Sequence, residues 1–91
     1  MIKSFQHKGL KQLFEKGSSA KINQQHKAKC LRLLDALDAA TLPQEMNIPG
    51  FGFHGLEGNP KRYAVSVSGN YRITFEWEGE DAIHVLYEDY H

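Results

Sequence analysis

The spacing of the apolar residues changes once along the chain, from helical periodicity before residue 41 to alternation after residue 62. One continuous stripe, at steps of 4, 4, 3, 4 and 3, is formed by Ile22, His26, Cys30, Leu33, Leu37 and Ala40. Such steps place residues on one face of a helix, whereas alternation places them on one face of a strand. Helices followed by strands predict an α+β fold, an N-terminal helical hairpin packed on a small antiparallel sheet.

The helical hairpin is predicted from two segments. The first helix is expected from about Lys8 to Gly17, which can adopt the left-handed conformation that ends many helices. Ser18 or Ser19 is expected to cap the second helix, and Pro43 to limit it. Residues 42–60 then hold three prolines and four glycines, which predicts an irregular connection of the length that functional loops often have.

Three closing strands are predicted from alternation, and a short opening strand from residues 2–5. In the first turn, a three-residue loop pairs Val67 with Tyr71 and keeps one apolar face, which a two-residue loop would not, so we predict the three-residue loop. The helices would cover that face, and Arg72, Thr74 and His84 would point away from it. The alternating apolar residues are Tyr63, Val65, Val67, Tyr71, Ile73, Phe75, Trp77, Ile83, Val85 and Tyr87.

Charge is distributed unevenly although the formal net charge is zero. Residues 1–34 carry eight lysines and arginines against one carboxylate, whereas residues 35–91 carry three against ten. A basic segment of this kind can bind a polyanion such as RNA by releasing its counterions. The same lysines could instead simply solvate the outer faces of two helices. Charge alone leaves both interpretations open.

The remaining composition narrows the class of protein. A length of 91 residues predicts one domain, residues 1–91, with a limited core. No apolar run approaches the roughly 20 residues of a membrane span, and the first residues lack the features of a signal peptide. A single cysteine, Cys30, excludes an internal disulfide and suits a reducing compartment, so we expect a cytoplasmic protein. The histidines lack the paired spacing of zinc sites, so we predict no metal and no other cofactor.

Arg72 is the one arginine inside a predicted strand, where a rigid backbone would hold its guanidinium in place. A guanidinium in that position can bind a phosphate through two parallel hydrogen bonds. It could equally form a cross-strand ion pair with Glu76 or Glu88. The residue type alone does not separate the two roles.

The chain ends on polar and aromatic residues directly after a core strand. The imidazole of His91 could move a proton to or from an RNA 2′-hydroxyl or a leaving 5′-oxygen. Asp89 could orient that ring, and Tyr90 could stack on a base. Terminal residues more often fray than catalyse. His54, in the middle connection, would supply the second imidazole that acid and base catalysis requires, although loop histidines are usually only solvated.

Several segments resemble those of HigB toxins, also called plasmid maintenance system killer proteins, of the RelE/ParE superfamily. They run in the same order along nearly the whole chain, and the closing Asp-Tyr-His after an Arg-Ile-x-Phe strand is the most specific. The fold of that family, two helices against a small antiparallel sheet, agrees with the prediction made above. The segments are residues 1–5, 9–10, 13–17, 37–41, 54–58, 71–75 and 87–91.

The resemblance implies a toxin of a type II toxin-antitoxin system that cleaves translated mRNA in the ribosomal A site without a metal. It also implies neutralisation by a helix-turn-helix antitoxin, HigA, in a complex of higher oligomeric order. His54 and His91 would share the acid and base work, and Arg72 would stabilise charge on the phosphate. Asp89 would orient His91, and Tyr90 would position the nucleotide. The product would carry a 2′,3′-cyclic phosphate.

The sequence departs from the family in the middle connection. Glu57 stands where the best-understood members of the family carry a lysine that helps to bind phosphate, and a carboxylate there repels the RNA backbone. Lys61 and Arg62 could supply the missing charge, and with Lys8 and Lys11 they form the candidate RNA-binding set. The departure would suit an attenuated toxin.

Two other functions fit the same fold. One is a ParE-like inhibitor that binds DNA gyrase and cleaves no RNA, and the other is a non-cleaving module whose only partner is the antitoxin. A gyrase inhibitor would not need two histidines and an arginine in one place. The ribonuclease therefore requires that His54, Arg72 and His91 meet in a shared cleft on the uncovered side of the sheet.

Overall fold

The structure, a computed structural model, describes residues 1–89. Within them two α-helices pack on a four-stranded antiparallel sheet with the strand order β1-β2-β3-β4, which confirms the predicted α+β architecture. Short 3-10 turns occupy Gln24–His26 and Pro43–Met46. The helices and strands are α1 (Lys8–Lys16), α2 (Lys27–Ala39), β1 (His54–Leu56), β2 (Arg62–Ser66), β3 (Tyr71–Glu78) and β4 (Asp81–Asp89).

Both ends of α1 are capped. At its start, Nδ1 of His7 accepts a hydrogen bond from the Leu10 N–H at 3.0 Å. At its end, Gly17 has φ of 80° and its N–H donates to the Leu13 carbonyl at 2.8 Å. The predicted end at Gly17 is confirmed, whereas the histidine cap was not predicted, because serine, threonine, aspartate and asparagine are the usual caps.

The second helix begins later than predicted, at Lys27, so the prediction of a cap at Ser18 or Ser19 is wrong. The Ser19 hydroxyl instead accepts a hydrogen bond from the backbone N–H two residues later, at 3.2 Å, and closes a local turn. The Asn23 side chain then accepts from Gln25 N–H at 2.9 Å and starts the 3-10 turn that leads into α2. Both contacts are local side-chain hydrogen bonds that compete with helix formation.

The register of the sheet confirms the predicted three-residue turn. Val65 pairs with Ile73, and the Val67 N–H donates to the Tyr71 carbonyl at 2.9 Å. We call the sheet face covered by the helices the inner face, and the opposite face the outer face. The inner face and the two helices form one buried core, whose largest members include Leu10, Leu13, Leu33, Leu34, Leu37, Met46, Val65, Ile73, Phe75 and Val85.

Two features of the middle and start of the chain differ from the prediction. The middle connection contains the short strand β1, which pairs with β2. A strand of three residues around Gly55 is too short to be recognised from alternation. Within residues 1–89 the opening segment forms no strand of its own, and it lies beside β4 through two isolated parallel bridges, from Ile2 to Ala82 and from Phe5 to Val85. None of the helices in residues 1–89 has the length and apolar character to cross a membrane.

A β-bulge interrupts β4 opposite Phe75, where His84 and Val85 together face one residue of β3. His84 takes a positive φ of 52°, the left-handed region that favours glycine. Its N–H is satisfied by the Ser4 hydroxyl at 2.8 Å. The opening segment therefore stabilises the bulge.

Candidate active site

The register of the sheet places two of the predicted site residues on the outer face. His54 pairs with Ala64, which in turn pairs with Thr74, so these three side chains lie on one face. Arg72 lies two residues before Thr74 on β3, on the same face, and pairs with Glu88. Strand spacing and residue rise put the Cα atoms of His54 and Arg72 roughly 12 Å apart. Long side chains can span much of that distance. The two residues therefore lie on the same uncovered face of the sheet, but on strands that are not adjacent.

The exposed imidazole of His54 is oriented by the backbone before it. Its Nδ1 lies 3.0 Å from the Gly52 carbonyl oxygen. A carbonyl can only accept, so Nδ1 carries the proton and Nε2 is the proton acceptor of the ring. Gly52 itself has φ of 60°, and a Cβ there would lie 3.1 Å from the Ser66 hydroxyl. Glycine is thus needed to bring that carbonyl close to β2, where it orients His54.

Arg72 forms a cross-strand ion pair on the outer face. Its Nε donates to Oε1 of Glu88 at 2.9 Å, and both side chains are partly exposed. The structure thus contains the cross-strand ion pair with Glu88 that was one of the two interpretations of Arg72. A guanidinium has five N–H groups, of which the ion pair with Glu88 uses the one on Nε. The pair limits the directions in which the group can reach.

The predicted C-terminal site lies mostly beyond the region that the structure describes. Asp89, the last residue of β4, pairs with Tyr71 at the end of the sheet. Tyr90 and His91 lie outside the described residues. The meeting of His54, Arg72 and His91 therefore stays a prediction.

Three of the four candidate RNA-binding residues lie away from the outer face. Lys8 and Lys11 are exposed on α1, on the helical side, where they line an open depression together with Lys16 and Lys21. The Nζ of Lys61 lies 5.7 Å from the centroid of a tyrosine ring whose strand register puts it on the inner face. The structure does not bring Lys8 and Lys11 together with His54 and Arg72, whereas the Lys61 amine lies beside Gly55, the residue after His54.

The fourth, Arg62, is on the outer face but is held by partners within the protein. Its guanidinium donates to Glu76 Oε2 at 2.7 Å, to the Thr74 hydroxyl at 2.8 Å and to the His84 carbonyl at 3.1 Å. Thr74, predicted to point away from the helices, is fully buried in this contact. Arg62 therefore joins β2, β3 and β4 across the outer face. We call Arg62, Glu76 and His84 the outer-face cluster.

The outer-face cluster was not predicted from the sequence. Nδ1 of His84 lies 3.1 Å from the same Glu76 oxygen that Arg62 contacts. Burial alone would raise the pKa of the Glu76 carboxyl, but hydrogen bonds from His84 and Arg62 hold that pKa below its usual value. The carboxylate is thus shared by the Arg62 guanidinium and the His84 imidazole. The residues of the outer-face cluster come from three different strands, so no short sequence motif contains them.

The outer face combines an oriented proton acceptor with a strand-held cation. These are the two elements needed to activate a hydroxyl nucleophile and to stabilise charge on a phosphate. Among residues 1–89, no group of three or more histidine, cysteine or carboxylate side chains could hold a metal ion.

The chain matches a protein family and a named relative. Residues 3–91 match the family described as the RelE-like toxin of the type II toxin-antitoxin system HigB. The chain is also 44% identical over 92 residues to "Endoribonuclease HigB" of Proteus vulgaris, and the alignment covers 100% of both proteins. The resemblance found in the sequence thus extends along the full length.

Proposed function

The chain belongs to the HigB-like family of RelE-like toxins of type II toxin-antitoxin systems, and we propose that it is an endoribonuclease that cleaves messenger RNA on the ribosome and stops translation. The observation that carries this proposal is the 44% identity, without a missing segment, to a protein named as an endoribonuclease. The outer face supports it independently, since His54 and Arg72 stand on one uncovered surface. A binding module that only meets an antitoxin has no need of that pair.

Cleavage would begin at His54. Its Nε2, left as acceptor by the Gly52 carbonyl, takes the proton of an RNA 2′-hydroxyl, and the 2′-oxygen forms a bond to the adjacent phosphorus. The bond from phosphorus to the 5′-oxygen breaks as His91 donates a proton to that oxygen. The products are a 2′,3′-cyclic phosphate and a 5′-hydroxyl, so no water enters this step. Two imidazoles in opposite protonation states are the usual requirement of such a reaction.

The other residues of the site act on charge and position. The Arg72 guanidinium, held toward the outer face by Glu88, stabilises the negative charge that grows on the phosphate oxygens. Asp89 orients His91, and Tyr90 stacks on or positions the nucleotide. These roles follow the positions at which the chain matches the family.

The basic surface on α1 has a separate task in this proposal. Lys8 and Lys11 lie on the helical side of the domain, so we assign them to ribosomal RNA rather than to the substrate strand. Phosphate contacts of this kind position a protein without reading sequence. Lys61 and Arg62 contribute positive charge near the edge and the outer face of the sheet.

A type II toxin has an antitoxin partner, and we propose a helix-turn-helix protein of the HigA kind in an assembly larger than a heterodimer. We place the toxin in the cytoplasm, because its proposed substrate is translated mRNA. Both statements rest on membership of the family.

Primer extension on mRNA from cells that express the chain tests the activity directly. Wild type should give new 5′ ends within translated codons, and His91→Ala should abolish them. His7→Asn is the matched control, because it removes a histidine far from the outer face while keeping a side chain that can cap α1. Intact transcripts together with DNA damage would instead identify a gyrase inhibitor, and intact transcripts without damage a binding module.

A further inference from the structure

His84 occupies a backbone conformation that a histidine adopts only at a cost. Its φ of 52° at the β-bulge is the position where glycine is usually found. A residue other than glycine in such a conformation is uncommon, and strained positions cluster where a side chain has a function. This conformation of His84 is stabilised by a hydrogen bond from its backbone N–H to the Ser4 hydroxyl at 2.8 Å. The fold thus maintains a strained histidine where a glycine would be easier to accommodate.

The imidazole of His84 is oriented with one nitrogen toward the protein. Nδ1 lies 3.1 Å from Oε2 of Glu76, and the side chain is 45% exposed. Because the two ring nitrogens lie on different sides of the ring, Nε2 is directed away from the carboxylate. A carboxylate on one nitrogen fixes the orientation of the other, as in many sites where an imidazole binds a ligand or moves a proton.

The charge of the outer-face cluster depends on His84. Arg62 from β2 carries one positive charge, and Glu76 from β3 carries one negative charge. The opening segment contributes the uncharged Ser4 hydroxyl, and its charged groups are Lys3 and the amino terminus, which forms an ion pair with Asp81. The cluster is therefore neutral with a neutral imidazole and carries a charge of plus one with a protonated one. Histidine side chains change between these forms from about pH 5 to 8.

We propose that His84 is a pH-dependent binding site for a phosphate group of the RNA substrate, separate from the residues to which the family resemblance assigns the reaction. The inference rests on the proposed function, since it takes the RNA strand to lie on the outer face with His54 and Arg72. In the protonated form, Nε2–H donates to a phosphate oxygen while Glu76 holds Nδ1–H.

The geometry of β4 indicates which phosphate is contacted. Arg72 pairs with Glu88, and His84 lies four residues back along β4, roughly 13 Å away at the usual strand rise. A stacked strand advances about 3.4 Å per nucleotide. His84 thus binds a phosphate a few nucleotides away from the one that is cleaved.

The test measures binding to ribosomes programmed with mRNA that carries 2′-deoxynucleotides at the cleaved codon, so that no cleavage occurs. Dissociation constants are measured for wild type and His84→Asn at pH 6 and pH 8. Asparagine tolerates positive φ and does not titrate in this range. The two proteins should bind equally at pH 8, and wild type should bind about fivefold more tightly at pH 6, the size expected for one partly exposed charge contact.

Two further measurements separate this role from a structural one. His84→Gly removes the side chain and the strain together, so it should bind as His84→Asn does while its melting temperature is not lower than that of wild type. A scan that replaces single phosphates by uncharged methylphosphonates should find one position at which wild type and His84→Asn become equal at pH 6.

The outcomes also separate this inference from the proposed function. Equal pH dependence in wild type and His84→Asn, with wild type still cleaving unmodified mRNA, overturns the phosphate site alone. Absence of cleavage with the predicted difference in binding overturns the ribonuclease alone. Loss of binding by His84→Asn at both pH values, with a lower melting temperature, shows a structural residue and also overturns the site.

Discussion

The Nδ1 atom of His26 lies 2.6 Å from the hydroxyl oxygen of Tyr87, and this hydrogen bond joins the start of α2 to the last part of β4. The Tyr71 ring packs against both, with its centroid 4.8 Å from that of His26 and 5.2 Å from that of Tyr87. Burial raises the pKa of Tyr87 to about 12, so its hydroxyl keeps its proton at physiological pH. The three rings therefore anchor the strand that leads into the proposed catalytic residues at the C-terminus.

Tyr87→Phe should lower the free energy of unfolding by about 1 kcal/mol, because it removes one partly buried hydrogen bond and leaves His26 without that partner. For a domain of this size the melting temperature should fall by about 4–8 °C. The matched control is Tyr71→Phe, which keeps the ring packing and removes a hydroxyl that bonds to nothing within residues 1–89. Equal losses in the two variants would show that the hydrogen bond contributes little.

Gly9→Ala should destabilise the protein, although alanine normally favours a helix by roughly 0.5–1 kcal/mol over glycine. A Cβ at residue 9 would lie 2.5 Å from the Cβ of Lys21, an atom fixed by its own backbone. We expect a loss of about 1–3 kcal/mol in urea unfolding, as for other overpacked sites. Gly69→Ala is the control, since nothing lies within 4 Å of its added Cβ. A stabilised Gly9→Ala variant would contradict the close contact.

Stability should decrease with falling pH because of His7. Its Nδ1 must be unprotonated to accept the Leu10 N–H, and burial, followed by the charge of Lys21, lowers its pKa from 6.5. The unfolded chain therefore binds the proton first as pH falls. The contribution of His7 is complete above about pH 6.5 and is lost as pH falls from there through the lowered pKa.

His7→Asn should remove this part of the pH dependence, because the amide oxygen caps the helix without titrating. His7→Ala should lose about 1 kcal/mol at every pH, since no cap remains. Both are measured by thermal unfolding between pH 5 and 8. A pH profile of His7→Asn identical to that of wild type would show that another group is responsible.

The parts of the fold that could be predicted are those set by long, regular patterns. The part of the stripe that lies on α2, from Cys30 to Leu37, follows from helical spacing. The pairing of Val65 with Ile73 follows from alternation, because only one register keeps the apolar residues of the strands together. β1 could not be predicted, since its pairing partner, and not its own three residues, makes it a strand. The start of α2 was missed because local side-chain hydrogen bonds outcompeted a generic cap.

Some residues of the candidate site could be singled out from the sequence. Arg72 was chosen as a strand arginine and His54 as a loop histidine, the family pattern then gave both of them roles, and the register places them on one face. The outer-face cluster has no such pattern. Alternation predicted the outer face for His84, but it does not reveal the bulge that puts Ile83 opposite Glu76, and Arg62 and Glu76 lie 14 residues apart. Pairing and bulges depend on the whole sheet and are not visible in any one segment.

His54→Ala should lower the rate of mRNA cleavage by about 10²–10⁴, the usual contribution of a general base. Stability should stay within about 0.5 kcal/mol of wild type, because the ring is exposed and its hydrogen bond is to a loop carbonyl. Cleavage is followed by primer extension, and folding by thermal unfolding of the same preparations. A fall in melting temperature that parallels the loss of cleavage would mean that His54 acts on structure instead.

Glu57→Lys should increase cleavage if the middle connection contacts the RNA backbone. Glu57 is exposed directly after β1, three residues from His54, and its carboxylate repels phosphate at a position where the resemblance described above implies a lysine. The change replaces a repulsion by an attraction, each worth about 0.2–1 kcal/mol at an exposed site, which amounts to roughly a two- to thirtyfold gain. The gain should appear as a lower KM and should shrink as salt is raised. Glu80→Lys makes the same change of charge in the exposed turn between β3 and β4, at a distance from His54. If both variants gain equally, the effect comes from net charge and the loop has no special place in binding.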